Sequence, residues 1–395
     1  MPDKEKIVPS MTRGPLREVL QVFAKVGLLA FGGAAGQIAM MRREVVVKRR
    51  WISEQDFLDL FGIMNLIPGP SSTETVIALG YWRAGWPALL FGGGLFILPA
   101  MLATLALAWL YVRFGTLPAV QWVLYGVNPI VIAIIADALW SLGRAAMKNV
   151  WLLLLGTASL GLYFWGVSVV KILLGTAVLV GAFALATRRK KSGTESGNSE
   201  RQATFFPLAV AATTAAAVVP FTLTRLFLTM LKIGAVSYGS GYVLLAFLHH
   251  DFVRHLHWLT EKQLLDAIAA GQITPGPVFA SATFVGYVVG GLKGALLATV
   301  GIFLPSFVFV AILFPLIPKL KGEPAARTFL DGINAATMGL MAAVSWQLAR
   351  GAIVDVFTAI ETVVAFFILL RFKINAAWLI LGGVVAGWAM KFAMH

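Results

Sequence analysis

Long apolar stretches separated by short basic ones set the rhythm of this chain, and nowhere does hydrophobicity alternate with the two-residue period of a barrel strand. Trp86 to Val112, Val131 to Leu142, Val150 to Phe164, Val169 to Ala186, Ala295 to Leu316 and Thr362 to Leu370 carry apolar runs. Joined to their flanks, these reach the ~20 residues that a helix needs to cross the hydrocarbon core. The pattern predicts an all-α polytopic membrane protein with about 13 apolar segments. Two stretches are interrupted: Glu18 to Met41 at Gly32-Gly33, and Phe57 to Tyr81 at Pro68-Gly69-Pro70. Both lie between basic clusters, so each is expected to be a broken, re-entrant hairpin.

The pattern is also written twice. A constant step of 207 residues, that from Pro68 to Pro275, carries Pro68-Gly69-Pro70 onto Pro275-Gly276-Pro277, and Lys25 onto Lys232. It also carries Gly32 onto Gly239, Trp51 onto Trp258, Glu54 onto Glu261 and Asp59 onto Asp266. A one-residue deletion then aligns Leu98-Pro99 with Leu304-Pro305, Gly126-x-Asn128 with Gly332-x-Asn334 and Trp140-x3-Arg144 with Trp346-x3-Arg350. The expected organisation is a cytoplasmic tail (1–17), a first repeat (18–187), a Lys-, Arg-, Ser- and Gly-rich linker (188–203), one extra crossing (204–223) and a second repeat (224–395). Secondary transporters built this way place their substrate where the repeats meet.

Composition supports the membrane reading. With 59% hydrophobic and 13% charged residues and a mean hydropathy of +0.83, the chain has too little polar surface to cover a soluble globule. The net charge of +14 is spread between apolar segments and not gathered on one patch, so no nucleic-acid partner is expected. The basic clusters instead orient the chain, placing the N-terminus, Arg42 to Arg50 and Arg188 to Lys191 in the cytoplasm. An odd extra crossing then inverts the second half. Consistent with this, His249 to His257 holds one Arg where the first copy has five basic residues. Antiparallel repeats in the inner membrane, with the C-terminus outside, are the expectation.

Met1 to Leu20 has no apolar core, so no removable signal is expected. The absence of cysteine excludes disulfides and thiolate chemistry. No Walker loop, Ser-His-Asp set or HExxH motif occurs, so neither an enzyme, a catalytic residue nor a cofactor is expected. Four of the five histidines lie within 249–257, but an outward loop without thiolates is not expected to be a metal site.

The candidate chemistry lies at the breaks. After Pro-Gly-Pro a new helix begins with unpaired N–H groups and about half a positive charge, an arrangement that binds anions. The first break is followed by Ser71, Ser72, Thr73 and Glu74; the second is flanked by Thr274 and Ser281. Gly32-Gly33 and Gly239-Ser240 add a second pair of breaks, so four broken ends are expected to converge. Asn65 and Gln272, each three residues before a break, offer neutral amides. Lys25 and Lys232, in apolar surroundings, are expected to draw an anion inward, with ion pairing or snorkelling as the alternative. Arg144 and Arg350 stand at span ends as interface anchors. Glu74 either takes up a proton or caps its own helix, and Asp137 is either a proton site or a partner for an arginine. Ser53 and Thr260 fit as helix N-caps.

Taken together, several motifs resemble the chromate ion transporter family in its long, two-domain form. In the first half they are Phe31-Gly32-Gly33 with Gln37-Ile38-Ala39-Met40-Met41, Pro68-Gly69-Pro70-x-Ser72-Thr73-Glu74, Gly80-Tyr81-x-Arg83-Ala84-Gly85 and Phe96-Ile97-Leu98-Pro99-Ala100. In the second they are Gly239-Ser240-Gly241-Tyr242, Gln272-x-Thr274-Pro275-Gly276-Pro277 and Gly286-Tyr287. Ala34 departs from the family, where Pro often follows Gly-Gly, and Ser71 stands where Asn is common. The resemblance implies export of chromate driven by membrane potential or a proton gradient, with sulfate as an isosteric competitor. Uptake or exchange of sulfate or another oxyanion is the alternative. A dianion leaving a negative-inside cell releases about 4.6 kcal/mol per 100 mV, so export requires no other energy source. The expected partners are chromate, sulfate and the lipid bilayer, and a homodimer is compatible with such a chain.

Overall fold

The computed structural model of the protein describes residues 13–31, 33–65, 67–192, 220–238, 241, 243–313, 324–372 and 374–393. Its first half runs through α1 (Leu16–Leu29), α2 (Gly33–Arg42), α3 (Glu54–Met64), α4 (Ser71–Pro87), α5 (Gly93–Phe114), α6 (Pro118–Ala146), α7 (Val150–Phe164) and α8 (Val169–Ser192). Its second runs through α9 (Leu223–Val236), α10 (Val243–Leu248), α11 (Glu261–Ile273), α12 (Ser281–Leu313), α13 (Pro324–Ala352), α14 (Val356–Phe372) and α15 (Ala376–Ala393). No sheet occurs among the described residues. Most of the expected linker and extra crossing lies outside them; α8 carries the helix on through the basic run Arg188 to Lys191.

Helix starts follow local chemistry. Ser53 accepts from the Asp56 amide at the head of α3, and Thr260 forms a reciprocal capping box with Gln263 at the head of α11. Both were legible as N-caps. Among the described residues three stretches are long and apolar enough to cross a bilayer: Ser71–Phe114, Pro118–Ala146 and Val278–Leu313. Val150–Phe164, Val169–Gly181 and Ala376–Phe392 are shorter apolar helices. Trp165 (83% exposed), Trp378 (70%) and Phe392 (70%) stand on the outside, as lipid-facing and interfacial aromatics do.

Landmarks recur between the halves. Helix α2 continues into a π-helical turn at Arg43–Lys48, and α10 into another at His249–His255. Each turn is followed by a non-glycine residue at positive φ, Arg50 (50°) and His257 (53°). The backbone leaves helical geometry at Ala84-Gly85 (φ −141° and 73°) and at Gly290-Gly291 (φ −138° and 60°).

Packing crosses between the halves. Helix α1 lies on α5 and α9 on α12, but α6 packs against α14 and α15 while α13 packs against α7 and α8. Helices α5 and α12 meet each other. The core that results includes Phe23, Val26, Ile77, Leu79, Val131 and Leu244, all fully buried. Each half therefore buries its long helix against the other half's last helices, which fixes how the broken ends face one another.

Candidate substrate site

The two Pro-Gly-Pro breaks are held by reciprocal backbone bonds. The Gly69 amide donates to the Ser237 carbonyl at 2.6 Å, just beyond the end of α9, and the Gly276 amide donates to the Ala30 carbonyl at 3.2 Å, just beyond the end of α1. Ala30 and Ser237 are related by the same 207-residue step as the breaks. Each Pro-Gly-Pro is thus docked on the broken end of the other half's first helix. Gly33, whose φ is 68°, begins α2 after one such end; Gly32, Gly239 and Ser240 lie outside the described residues.

Glycine is required at both breaks. Gly69 has φ 133° and Gly276 φ 94°, a region that L side chains rarely adopt. A Cβ at Gly69 would collide with the Glu74 carboxyl and the Ser306 hydroxyl, and one at Gly276 would fall 2.7 Å from Ala100 Cβ. The flanking prolines, Pro68, Pro70, Pro275 and Pro277, stop α3 and α11 and set the extended entry into the next turn.

After the first break, Ser71 opens α4 at once; the Thr73 and Glu74 amides return to the Pro70 carbonyl at 2.8 and 3.1 Å. After the second, the turn tightens into 3₁₀ form at Val278–Ala280 before α12 begins. The Ser281 hydroxyl donates to the Val278 carbonyl at 2.8 Å and so closes its own turn. Asn65 likewise returns its amide to the Phe61 carbonyl at 3.0 Å.

Unpaired polar atoms gather at these breaks. Ser72 and Thr73 are buried, and Thr73 Oγ1 has no hydrogen-bond partner among the described residues. Neither have Glu74 Oε2, Ser237 Oγ, Gln37 Oε1 and Gln272 Nε2. Gln37 Nε2 donates to the Gly276 carbonyl. Glu74 is fully buried, and its Oε1 accepts from Ser306 of α12 at 3.3 Å. Thr274 faces Thr104 of α5, hydroxyl to hydroxyl, at 3.3 Å. Buried polar groups in native proteins are normally satisfied, so a cluster of orphans marks a place for a polar ligand or water.

Lys25 and Lys232 occupy equivalent places and make equivalent ion pairs, with Glu44 at 3.0 Å and Asp251 at 2.6 Å. The pairing alternative is therefore the one observed. Glu44 is a hub that also takes Lys48 at 2.9 Å and Arg49. Burial pushes its carboxyl up, but hydrogen bonds from Lys48, Lys25 and Arg49 prevail and hold it at about 2. Asp251 is likewise driven up by burial, yet His250 and Lys232 bring it below the usual range.

The remaining candidates take structural places. Arg144 stacks over Trp140 at 5.7 Å, as an interface anchor does. Asp137 is half-buried on α6. Asn128 donates to Asp266 at 3.1 Å, joining the halves. His249 is buried, with Tyr163 at 2.8 Å and Glu261 at 3.5 Å. Among the described residues no group of three His, Cys, Asp or Glu gathers to hold a metal.

Sequence reasoning passed over Ser237, Ser306 and Tyr111, whose hydroxyl donates at 2.9 Å to Asp266, a residue noted only as a repeat landmark. Ser306 directly follows the matched Leu-Pro, and Ser237 lies two residues before Gly239. A polar residue close to a repeated breaker was the available signal.

The chromate transporter family model matches this chain twice, over residues 17–184 and 224–388. The chain is 33% identical over 384 residues to the chromate transport protein of Cupriavidus metallidurans, covering 96% of this chain and 94% of that protein. It is 32% identical over 392 residues to the chromate transport protein of Pseudomonas aeruginosa, covering 93% and 90%. No solved structure matches it.

Proposed function

The chain belongs to the chromate transporter family, and from that premise we propose that it is a secondary transporter that exports chromate across the inner membrane. It is a multi-pass membrane protein of a transporter family and not an enzyme. The observation that carries the proposal is the reciprocal docking of Gly69 on Ser237 and Gly276 on Ala30, around which buried polar atoms stand unpaired. Two helix starts, each behind a break docked on the other half's first helix, supply backbone donors and partial positive charge, a suitable cradle for a tetrahedral oxyanion.

In this reading residues 18–187 and 224–395 are antiparallel repeats, joined through the linker (188–203) and the extra crossing (204–223), with about 13 segments in all. The cytoplasmic N-terminus and outward C-terminus follow from the basic clusters. Backbone groups of Gly33, Gly69 and Gly276 line the site, together with the polar side chains of Ser71, Ser72, Thr73, Thr274 and Gln272. Gly32, Gly239, Ser240, Asn65 and Ser281 shape the breaks. Lys25 and Lys232 act through the helices that their ion pairs tie. Membrane potential drives the dianion outward, and sulfate competes as an isostere. Oxyanion uptake or exchange on the same fold is the second reading, favoured by the buried carboxyl of Glu74, which offers a place for a coupled proton.

Radiolabelled chromate and sulfate flux in proteoliposomes, at set membrane potential and with or without a pH gradient, tests the proposal. Flux following the potential alone supports dianion export; flux requiring inward protons supports coupled uptake; no flux of either ion rejects the assignment.

A further inference from the structure

We infer that Glu74 is the proton site of the transport cycle, holding a proton while the anion is bound and releasing it when the site empties, so that each anion moves with one proton. This rests on the transport reading above in its proton-coupled form, and names the coupling residue.

Four observations carry it. Glu74 is fully buried one turn into α4, beside the break that Gly69 forms. Its one partner is a neutral hydroxyl, Ser306 at 3.3 Å, and its second oxygen has no partner among the described residues. No cation reaches it among the described residues: on the helices packed against α4, Lys25 is held by Glu44, and Arg42 by Glu54 at 2.5 Å. On α4 itself Arg83 pairs with Glu18 at 3.3 Å, while Lys293 of α12 and Arg113 of α5 are exposed. Among the acids on those helices, Glu54 is exposed, and Asp56 and Asp59 are half-buried. Tyr238 lies within electrostatic reach of Glu74 and is itself an acid that supplies no positive charge at neutral pH. Finally, the second half has no carboxyl at this place: Ala280 and Ser281 occupy it, and Ala100 stands where Ser306 would be.

A buried carboxylate without a cation is disfavoured, and a dianion arriving at the same helix start would repel it further. Uncharged, the group becomes a hydrogen-bond donor to the anion in place of a repulsive neighbour. Occupation by anion and protonation of Glu74 are therefore linked, and linkage is reciprocal. Because the group occurs once and not twice, the stoichiometry is one proton per anion.

The test uses the full chain in proteoliposomes with chromate as the probe. In the wild type, the steady anion ratio across the membrane is expected to shift about tenfold per pH unit of imposed gradient at fixed potential. Glu74→Gln keeps a neutral donor but has no titratable proton, so whatever flux it supports, at any rate, is expected to lose that shift. A second measurement needs no variant: adding chromate to the purified protein in weakly buffered alkaline solution should take up about one proton per anion bound. A wild-type ratio indifferent to the pH gradient, an unchanged pH response in Glu74→Gln, or binding without proton uptake would each overturn the inference while leaving the transporter reading intact. Absence of any wild-type flux would remove both.

Discussion

The two Pro-Gly-Pro breaks share a backbone and differ in chemistry. At the first, Gly69 sits over Glu74 and Ser306, an acid and a hydroxyl. At the second, one residue has been lost, the chain tightens into a 3₁₀ turn, and Gly276 sits over the methyl of Ala100. The scaffold is kept because both breaks must dock on the other half's first helix through the same amide-to-carbonyl bond. Nothing in that bond requires the side chains to match. The matching residues thus set where the breaks are, and the unmatched ones leave an acid at one of them.

The ion-paired turns differ in the same manner. Arg42, Arg43, Lys48 and Arg50 of the first turn are answered by His249, His250, His255 and His257 in the second. Even the pairs correspond, Arg42 with Glu54 and His249 with Glu261. At these four positions one turn carries guanidinium and ammonium groups and the other imidazoles.

The sharpest way to break the first comparison is to add a methyl at each glycine. Gly69→Ala should abolish chromate flux, since the new Cβ meets two polar groups at a φ that costs about 1–3 kcal/mol. Gly276→Ala meets the Cβ of Ala100, which moves only with its backbone, and has a similar φ cost, but it displaces no polar group and should reduce flux without abolishing it. Equal losses in a paired flux assay would mean that the breaks are functionally alike.

For the ion pairs, Lys232→Ala is expected to cost about 2 kcal/mol, because buried Asp251 is left with His250 alone. Lys25→Ala should cost within about 1 kcal/mol, since Glu44 keeps Lys48 and Arg49. Thermal unfolding in detergent ranks the two, and the reverse order would refute the hub.

Acidification separates the turns next. Burial lowers His249 from its ordinary 6.5 to about 4, against the pull of Glu261. Its depressed value means that the unfolded chain binds the proton first, so stability is full above about 6.5 and falls as pH drops toward 4. Glu44, held at about 2, keeps its contribution across that window and loses it only as pH falls from 4.5 through 2. His249→Gln should flatten the Tm-versus-pH curve between 6.5 and 4, whereas an unaltered curve would assign the loss elsewhere. The smallest effect is expected at Arg144→Ala, which removes an anchor stacked on Trp140 and should leave flux within about twofold.

The sequence alone determined the helical membrane class, the duplicated landmarks, the breaks and the N-caps at Ser53 and Thr260, because each depends on local rules: hydrophobic run length, proline and glycine sterics, and side chains reaching their own backbone. Only the tertiary structure decided that Lys25 and Lys232 meet carboxylates, that Ser306 from α12 reaches Glu74 of α4, and that Ser237 and Ala30 receive the opposite breaks. Those contacts join residues up to 246 positions apart, from Ala30 to Gly276, and no local rule gives their pairing. It is set by helices of one half packing against those of the other, where burial of apolar area fixes geometry and the polar groups must find partners in what remains.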